Sequence, residues 1–164
     1  MQPDCDCVAA DRRRLGGLHL RIVLEPRFEA VRTALADALA GLGYLGLSEE
    51  ERGTLEIVLA EALNNVVEHA ARAGGIELRI NGAGRTLRCA VIDDGAPMAG
   101  TVAERAVLPD PSIPGDGGFG CFLINALAED VRYVTRAGRN RLSFCIGLGA
   151  GEPKRGESNG GPLH

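Results

Sequence analysis

The sequence predicts an α/β (α+β) protein: a two-layer sandwich in which about three helices cover one mixed, mainly antiparallel sheet. Three observations carry that expectation. The apolar pattern switches between period two and period 3.6 in the order strand, helix, helix, strand, strand, loop, helix, strand, strand. Four of the five strand-like runs come in pairs joined by short turns rich in Asn and Gly, as hairpins do. Hairpins with one apolar face need a layer to cover them, and the helices supply it.

Each element has its own signal. Residues 1–17 read as a flexible polar arm, and residues 18–148 as one domain, in keeping with a chain of 164 residues. In HLRIVLEP, residues 19–26, Leu20, Ile22 and Leu24 alternate with Arg21 and Val23, which suits a strand with one buried face. Pro26 stops the strand and suits entry into a helix, where Phe28, Val31, Leu35, Leu39 and Leu42 recur at spacings of three and four. Gly41 and Gly43 close that helix. Ser48, with Glu51 three residues on, makes a capping box, and the acids of SEEE suit the positive end of a helix. That second helix is expected to reach about Arg72 and to end at Gly74 and Gly75.

IELRI (76–80) and TLRCAVID (86–93) form a hairpin about NGAGR. Residues 95–118, rich in Pro and Gly, read as a long irregular loop, and loops of that length inside a domain are usually functional. GFGCFLINALAED resumes helical spacing through Phe122, Leu123, Ala126 and Leu127. VRYVTR (131–136), the turn AGRN and RLSFCIGL (141–148) give a last hairpin, and the tail 149–164 is too polar and Gly-rich to pack.

Composition narrows the function. Net charge is −4, and the arginines are scattered among acids along the sequence, which argues against a dedicated nucleic-acid binder. Aromatics at 4% and no Trp leave little for base stacking. No long apolar run or apolar leader is visible, so a cytoplasmic protein without a membrane span is expected. Cys89, Cys121 and Cys145 sit in apolar segments and read as reduced core residues, whereas Cys5 and Cys7 lack nearby ligand partners and read as part of the tail.

Three stretches carry polar residues where chemistry needs them. In VLAEALNNVVEHA (58–70), Leu55, Val58, Leu59, Ala62 and Val66 share an apolar stripe, while Glu61 and Asn65 stack one turn apart on its flank. A solvated face explains such a pair, but a carboxylate and an amide oxygen one turn apart also suit a general base and a hard-cation ligand. His69 closes the helix and reads as a packed, hydrogen-bonded side chain; Asn64 and Glu68 suit either a metal's outer shell or plain surface. In IDDGAPM (92–98), Asp93 at a strand end is either a turn residue or an acceptor for an exocyclic amine, with Gly95 letting a ring approach the backbone. In PGDGGFGCFLI (114–124), a Gly-rich turn opens a helix whose unpaired N–H groups suit phosphate oxygens. It matches neither a Rossmann turn, having no strand before it, nor a Walker loop, having no Lys-Ser/Thr after it.

The order and separation of these stretches resemble the GHKL-type ATPases, and within them the short anti-sigma-factor serine/threonine kinases. EALNN is similar to the N box, DDGAP to the first glycine box and GGFGCFLI to the second, over roughly residues 18–148. The resemblance implies that Glu61 is the general base and that Asn65 binds Mg²⁺ bridging the phosphates of ATP or ADP. It implies that Asp93 contacts the adenine amino group with Gly95 beneath the base, and that Pro97 belongs to the same nucleotide-binding turn. Gly118, Phe119 and Gly120 would line the triphosphate, and residues 99–117 would form an ATP lid.

The implied activity is that of an anti-sigma factor that sequesters a sigma factor and phosphorylates a Ser or Thr of a STAS-type anti-anti-sigma protein. The family pattern also implies a homodimer, with no direct contact to nucleic acid. One departure stands out: related kinases often carry an Arg or Lys near the second glycine box, where this chain has Asp116, so that the cation comes from Arg105, from a partner, or not at all. The alternative is therefore a nucleotide-binding module that sequesters partners without efficient phosphotransfer. A sensor histidine kinase is disfavoured, since no helix with a phosphoacceptor His precedes the N box.

Overall fold

The computed structural model describes residues 17–69, 74–98 and 119–149. Its elements are β1 (His19–Leu24), α1 (Phe28–Gly41), a 3₁₀ turn (Gly43–Leu45), α2 (Glu49–His69), β2 (Ile76–Ala83), β3 (Thr86–Asp93), α3 (Phe119–Leu127), β4 (Glu129–Arg136) and β5 (Arg139–Gly147). The expected N-terminal arm, the C-terminal tail, the lid, Gly118, Asp116, Arg105, Cys5 and Cys7 lie outside the described residues, apart from the edges of the arm and tail at Gly17 and Gly149.

The strands form one sheet in the order β1-β2-β3-β5-β4. Every pairing in it is antiparallel, so the expected mixed sheet is not found among the described residues. The reason is topological. β4 runs in the direction of β3, but it is laid down at the edge with β5 returning between them.

Local chemistry sets the element ends. Ser48 Oγ accepts from the Glu51 amide at 3.1 Å while the Ser48 amide donates to Glu51 Oε2 at 2.8 Å, closing the capping box at the start of α2. The β2–β3 hairpin turns at Gly84 and Arg85, tighter than NGAGR suggests, because Asn81 and Gly82 still pair with Arg88 and Leu87. The β4–β5 turn holds Ala137 at φ 50° and Gly138 at φ 73°, the twist that suits a two-residue hairpin. β4 starts two residues earlier than its sequence pattern suggests and is irregular between Glu129 and Arg132, with Asp130 at φ 51°.

The three helices pack on one face of the sheet. Leu55, Val58, Leu59, Ala62 and Leu63 of α2 meet Ile76, Leu78 and Ile80 of β2, Leu87 and Val91 of β3, and Phe144 and Ile146 of β5 in a single core. Each fully buried aliphatic side chain there contributes about 1.5–3 kcal/mol of transfer free energy. Phe28, expected in the α1 stripe, is instead 54% exposed. The face of α3 also differs from its pattern: Gly120, Cys121 and Ile124 are buried, while Ala126 and Leu127 are exposed. The cause is the smallness of Gly120, which brings α3 against the polar flank of α2. Cys89, Cys121 and Cys145 are buried and in no disulfide, as expected, and burial pushes the Cys89 thiol well above its ordinary range. Among the described residues, no helix is long and apolar enough to cross a membrane.

Candidate functional site

Glu61 and Asn65 sit on the flank of α2 that faces α3. They are half-buried there. A Cβ built on Gly120 falls 2.5 Å from Glu61 Oε2 and 3.2 Å from Asn65 Oδ1, so only glycine leaves both oxygens where they are. Burial first, and the like charge of Glu68 second, push the Glu61 carboxyl above the usual carboxylate range. The Asn65 amide N–H₂ donates to Cys121 Sγ at 3.6 Å, which turns Oδ1 toward Gly120. The Cys121 thiol in turn lies 4.0 Å from Met98 Sδ and links α3 to the loop after β3.

Asp93 ends β3 and is 7% exposed. Its Oδ1 accepts two hydrogen bonds, from the Gly95 amide at 2.8 Å and from Asn140 Nδ2 at 2.9 Å. Asn140 is 1% exposed, and the same Nδ2 also donates to Gly95 O at 3.0 Å, while its Oδ1 accepts from Thr135 Oγ1 at 2.9 Å. The loop that follows is pinned further on, where the Met98 amide donates to Tyr133 Oη at 2.8 Å. Asp93 is thus held by one oxygen, with Oδ2 left as an acceptor.

Between these two groups lies a cleft of about 40 Å³, lined by Ala62, Val66, Val91 and Leu142, with Asn65 and Asp93 as polar members. A narrow apolar slot with a carboxylate and an amide beside it suits a flat heteroaromatic ring that carries a donor at its edge. Glu61 and Gly120 meet beside the slot and do not line it. Pro97 and Phe119 are exposed and line no part of it, and Gly95 serves through its amide and carbonyl. His69 corrects its sequence reading: it is not packed, its side chain is 53% exposed, and it stands at the mouth of the cleft 3.8 Å from Glu68.

The sequence profile of the histidine kinase-like ATPase domain matches residues 24–146, from β1 to β5, and so takes in every one of these groups. The chain belongs to the histidine kinase-like ATPase family. Among solved structures, the RsbU and RsbW domains of Rv1364c from Mycobacterium tuberculosis share the fold, with a TM-score of 0.60 and 23% identity over 80% of this chain and 32% of that one. The histidine kinase AdeS of Acinetobacter baumannii gives a TM-score of 0.48 and 17% identity over 80% of this chain and 68% of that one. This chain therefore spans about a third of the Rv1364c chain in that structure. No curated protein matches it at a significant level.

Membership of the histidine kinase-like ATPase family implies nucleotide binding. Three contributors to the ATPase-type cleft were missed in the sequence: Asn140, Tyr133 and Cys121. Asn140 sits beside Arg139 in a run that reads as a turn, and Tyr133 and Cys121 read as strand and core residues. The available signal was register, since β5 pairs with β3 so that Asn140 lies opposite Asp93.

Proposed function

We propose that this chain is an anti-sigma factor and ATP-dependent serine/threonine kinase that phosphorylates a STAS-type anti-anti-sigma protein. One observation carries the reading: Glu61, Asn65 and Gly120 meet at the contact of α2 and α3, beside an apolar slot that also holds a fixed Asp93. The choice of partners rests on the similarity of EALNNVVEHA, DDGAP and GGFGCFLI to the kinase branch, and the RsbW domain in a structure of the same fold agrees with it.

The residues present fit a magnesium nucleotide. The slot takes adenine, Asp93 accepts from its amino group, and the empty Cβ position of Gly120 leaves room for phosphate beside two hard oxygen donors. Asn65 would hold Mg²⁺, which supplies charge neutralisation as the γ-phosphoryl leaves. Glu61 takes the proton of the attacking hydroxyl, so that the new O–P bond forms as the bond to ADP breaks. Its raised pKa makes it a better proton acceptor than an ordinary carboxylate. Phosphorylation then releases the antagonist, because a dianionic group is repelled and hard to desolvate in a packed interface. A dimer in the cytoplasm completes the proposal, with sedimentation as its check.

Incubation with Mg·ATP and a STAS protein tests the reading. Phosphoserine or phosphothreonine is expected on the STAS partner, abolished in Glu61→Ala with ADP affinity kept, whereas Asn65→Ala weakens Mg²⁺-dependent binding. Nucleotide binding without transfer would leave the sequestering module, and wild-type turnover in both variants would overturn the roles assigned.

A further inference from the structure

The sheet has a second face, and the helices leave it open. Successive residues of a strand point to opposite sides, so the residues between the core positions all project from the other surface. Among the described residues, α1, α2 and α3 pack on the core side. The open side is crowded with arginine. Arg21 pairs with Arg79, Arg136 with Arg139, Arg141 with Val134 and Ile92, and Arg132 with Ser143. These six arginines are exposed, and Arg88, opposite Asn81 and Cys145 on the same face, adds a seventh that is partly buried.

Few acids answer them. Glu77 and Glu129 project from the same surface, and Asp94 at the end of β3 is held by the Gly74 amide at 2.6 Å. Glu77 is the centre of the field: Arg79 Nε lies at 2.7 Å, Arg139 Nη2 at 3.4 Å, and Arg21 also binds Oε1. One carboxylate shared by three guanidinium groups leaves most of their N–H donors to other acceptors. A chain of net charge −4 has thus gathered positive charge on one side of its sheet.

The apolar positions define the rest of the surface. Ile92 and Ala90 are buried beneath the arginine stems, while Val23 on β1 and Val134 on β4 are 62% and 55% exposed. Four inter-strand steps separate these edges by roughly 19 Å. No Phe, Tyr or Trp of the paired strands points to this face, and its one imidazole, His19, is hydrogen-bonded to Asn81 at the edge, so it lacks a stacking platform for successive nucleic-acid bases. A second copy of the chain would set one arginine field against another.

We propose that this open face docks an acidic segment of a partner protein, with carboxylates over the arginine field and an aliphatic residue near each end, against Val23 and Val134. The proposal does not depend on phosphotransfer. The carboxylates exchange water for guanidinium donors held by the shared Glu77, and the valines cover the edges.

The test uses the full chain and a fluorescein-labelled Glu-rich peptide of about 16 residues with Val at both ends, which spans roughly 24 Å as a helix. Saturable binding that weakens as ionic strength rises is expected, with about a tenfold loss in Arg132→Glu/Arg141→Glu. ADP binding and the circular dichroism spectrum should stay unchanged in that variant, and the milder Arg141→Gln should lie between. Binding that is insensitive to salt, or equal in wild type and variant, would overturn the proposal. Tighter binding of a DNA duplex of equal charge would assign the face to nucleic acid instead. Self-association that the double variant abolishes would assign it to a second copy.

Discussion

Asn140 and Asp93 face each other across β5 and β3, and the 2.9 Å hydrogen bond between them is made by an amide that is 1% exposed. This bond, with the one that the Gly95 amide donates to the same oxygen and the one that Asn140 donates to the Gly95 carbonyl, decides which oxygen of Asp93 stays open to the cleft. Asn140→Ala takes from Asp93 Oδ1 one of its two donors, leaving the Gly95 amide, and takes from the Gly95 carbonyl the donor it has in Asn140. A buried polar group that loses its partner costs about 1–3 kcal/mol. Denaturant unfolding should therefore show a loss of that order, and calorimetry with Mg·ADP a loss of at least about tenfold. Unchanged stability and affinity together would remove Asn140 from the site.

Gly120 separates stability from chemistry. Alanine favours a helix over glycine by up to about 1 kcal/mol, and its methyl would meet the flexible carboxylate end of Glu61 and, less closely, the amide oxygen of Asn65. Gly120→Ala should melt no earlier than wild type, yet transfer phosphate about a hundredfold more slowly, because Glu61, the proposed general base, is pushed out of line. A variant that melts early but turns over normally would show that glycine is there for packing alone.

Much of the fold was legible because its signals are local. The capping box at Ser48 and Glu51, the alternation of β1 and the glycine turns each depend on residues a few positions apart. The α3 face was misread for a physical reason. Hydropathy favours Phe122 and Leu123, whereas packing against Glu61 and Asn65 demands the smallest residues, Gly120 and Cys121. Asn140 was out of reach of any local pattern, since its partner lies 47 residues away and only sheet register brings them together. Glu61, Asn65 and Asp93 were legible as polar residues flanking apolar elements; Asn65 and Asp93 line one cleft, and Glu61 stands beside it.

The raised pKa of Glu61 has a kinetic consequence. As the proposed general base, Glu61 works only while ionised, so the rate should fall on acidification, at a pH above the ordinary glutamate value of 4.5. Burial is the larger cause and the charge of Glu68 the smaller. Glu68→Gln should therefore move the acid limb of kcat to lower pH without carrying it all the way to the ordinary value. A limb that stays in place, or moves up, would show that Glu68 does not act on the base.

Glu77 makes the opposite prediction for stability. Hydrogen bonds from Arg79, then Arg21, lower its pKa from 4.5 to about 2 in the folded chain. A lowered folded value means that the ionised form stabilises the fold: the contribution is complete above pH 4.5 and is lost as pH falls through about 2. The arginine side chains are 65%, 44% and 59% exposed at Arg21, Arg79 and Arg139, so water and salt screen the pairs. The loss in Glu77→Gln at neutral pH should be about 1 kcal/mol, near the upper end for surface pairs. Acid titration of stability should then be flatter in Glu77→Gln than in wild type over this window, and high salt should bring the two curves together. Parallel curves would place the arginines' holding point on another carboxylate.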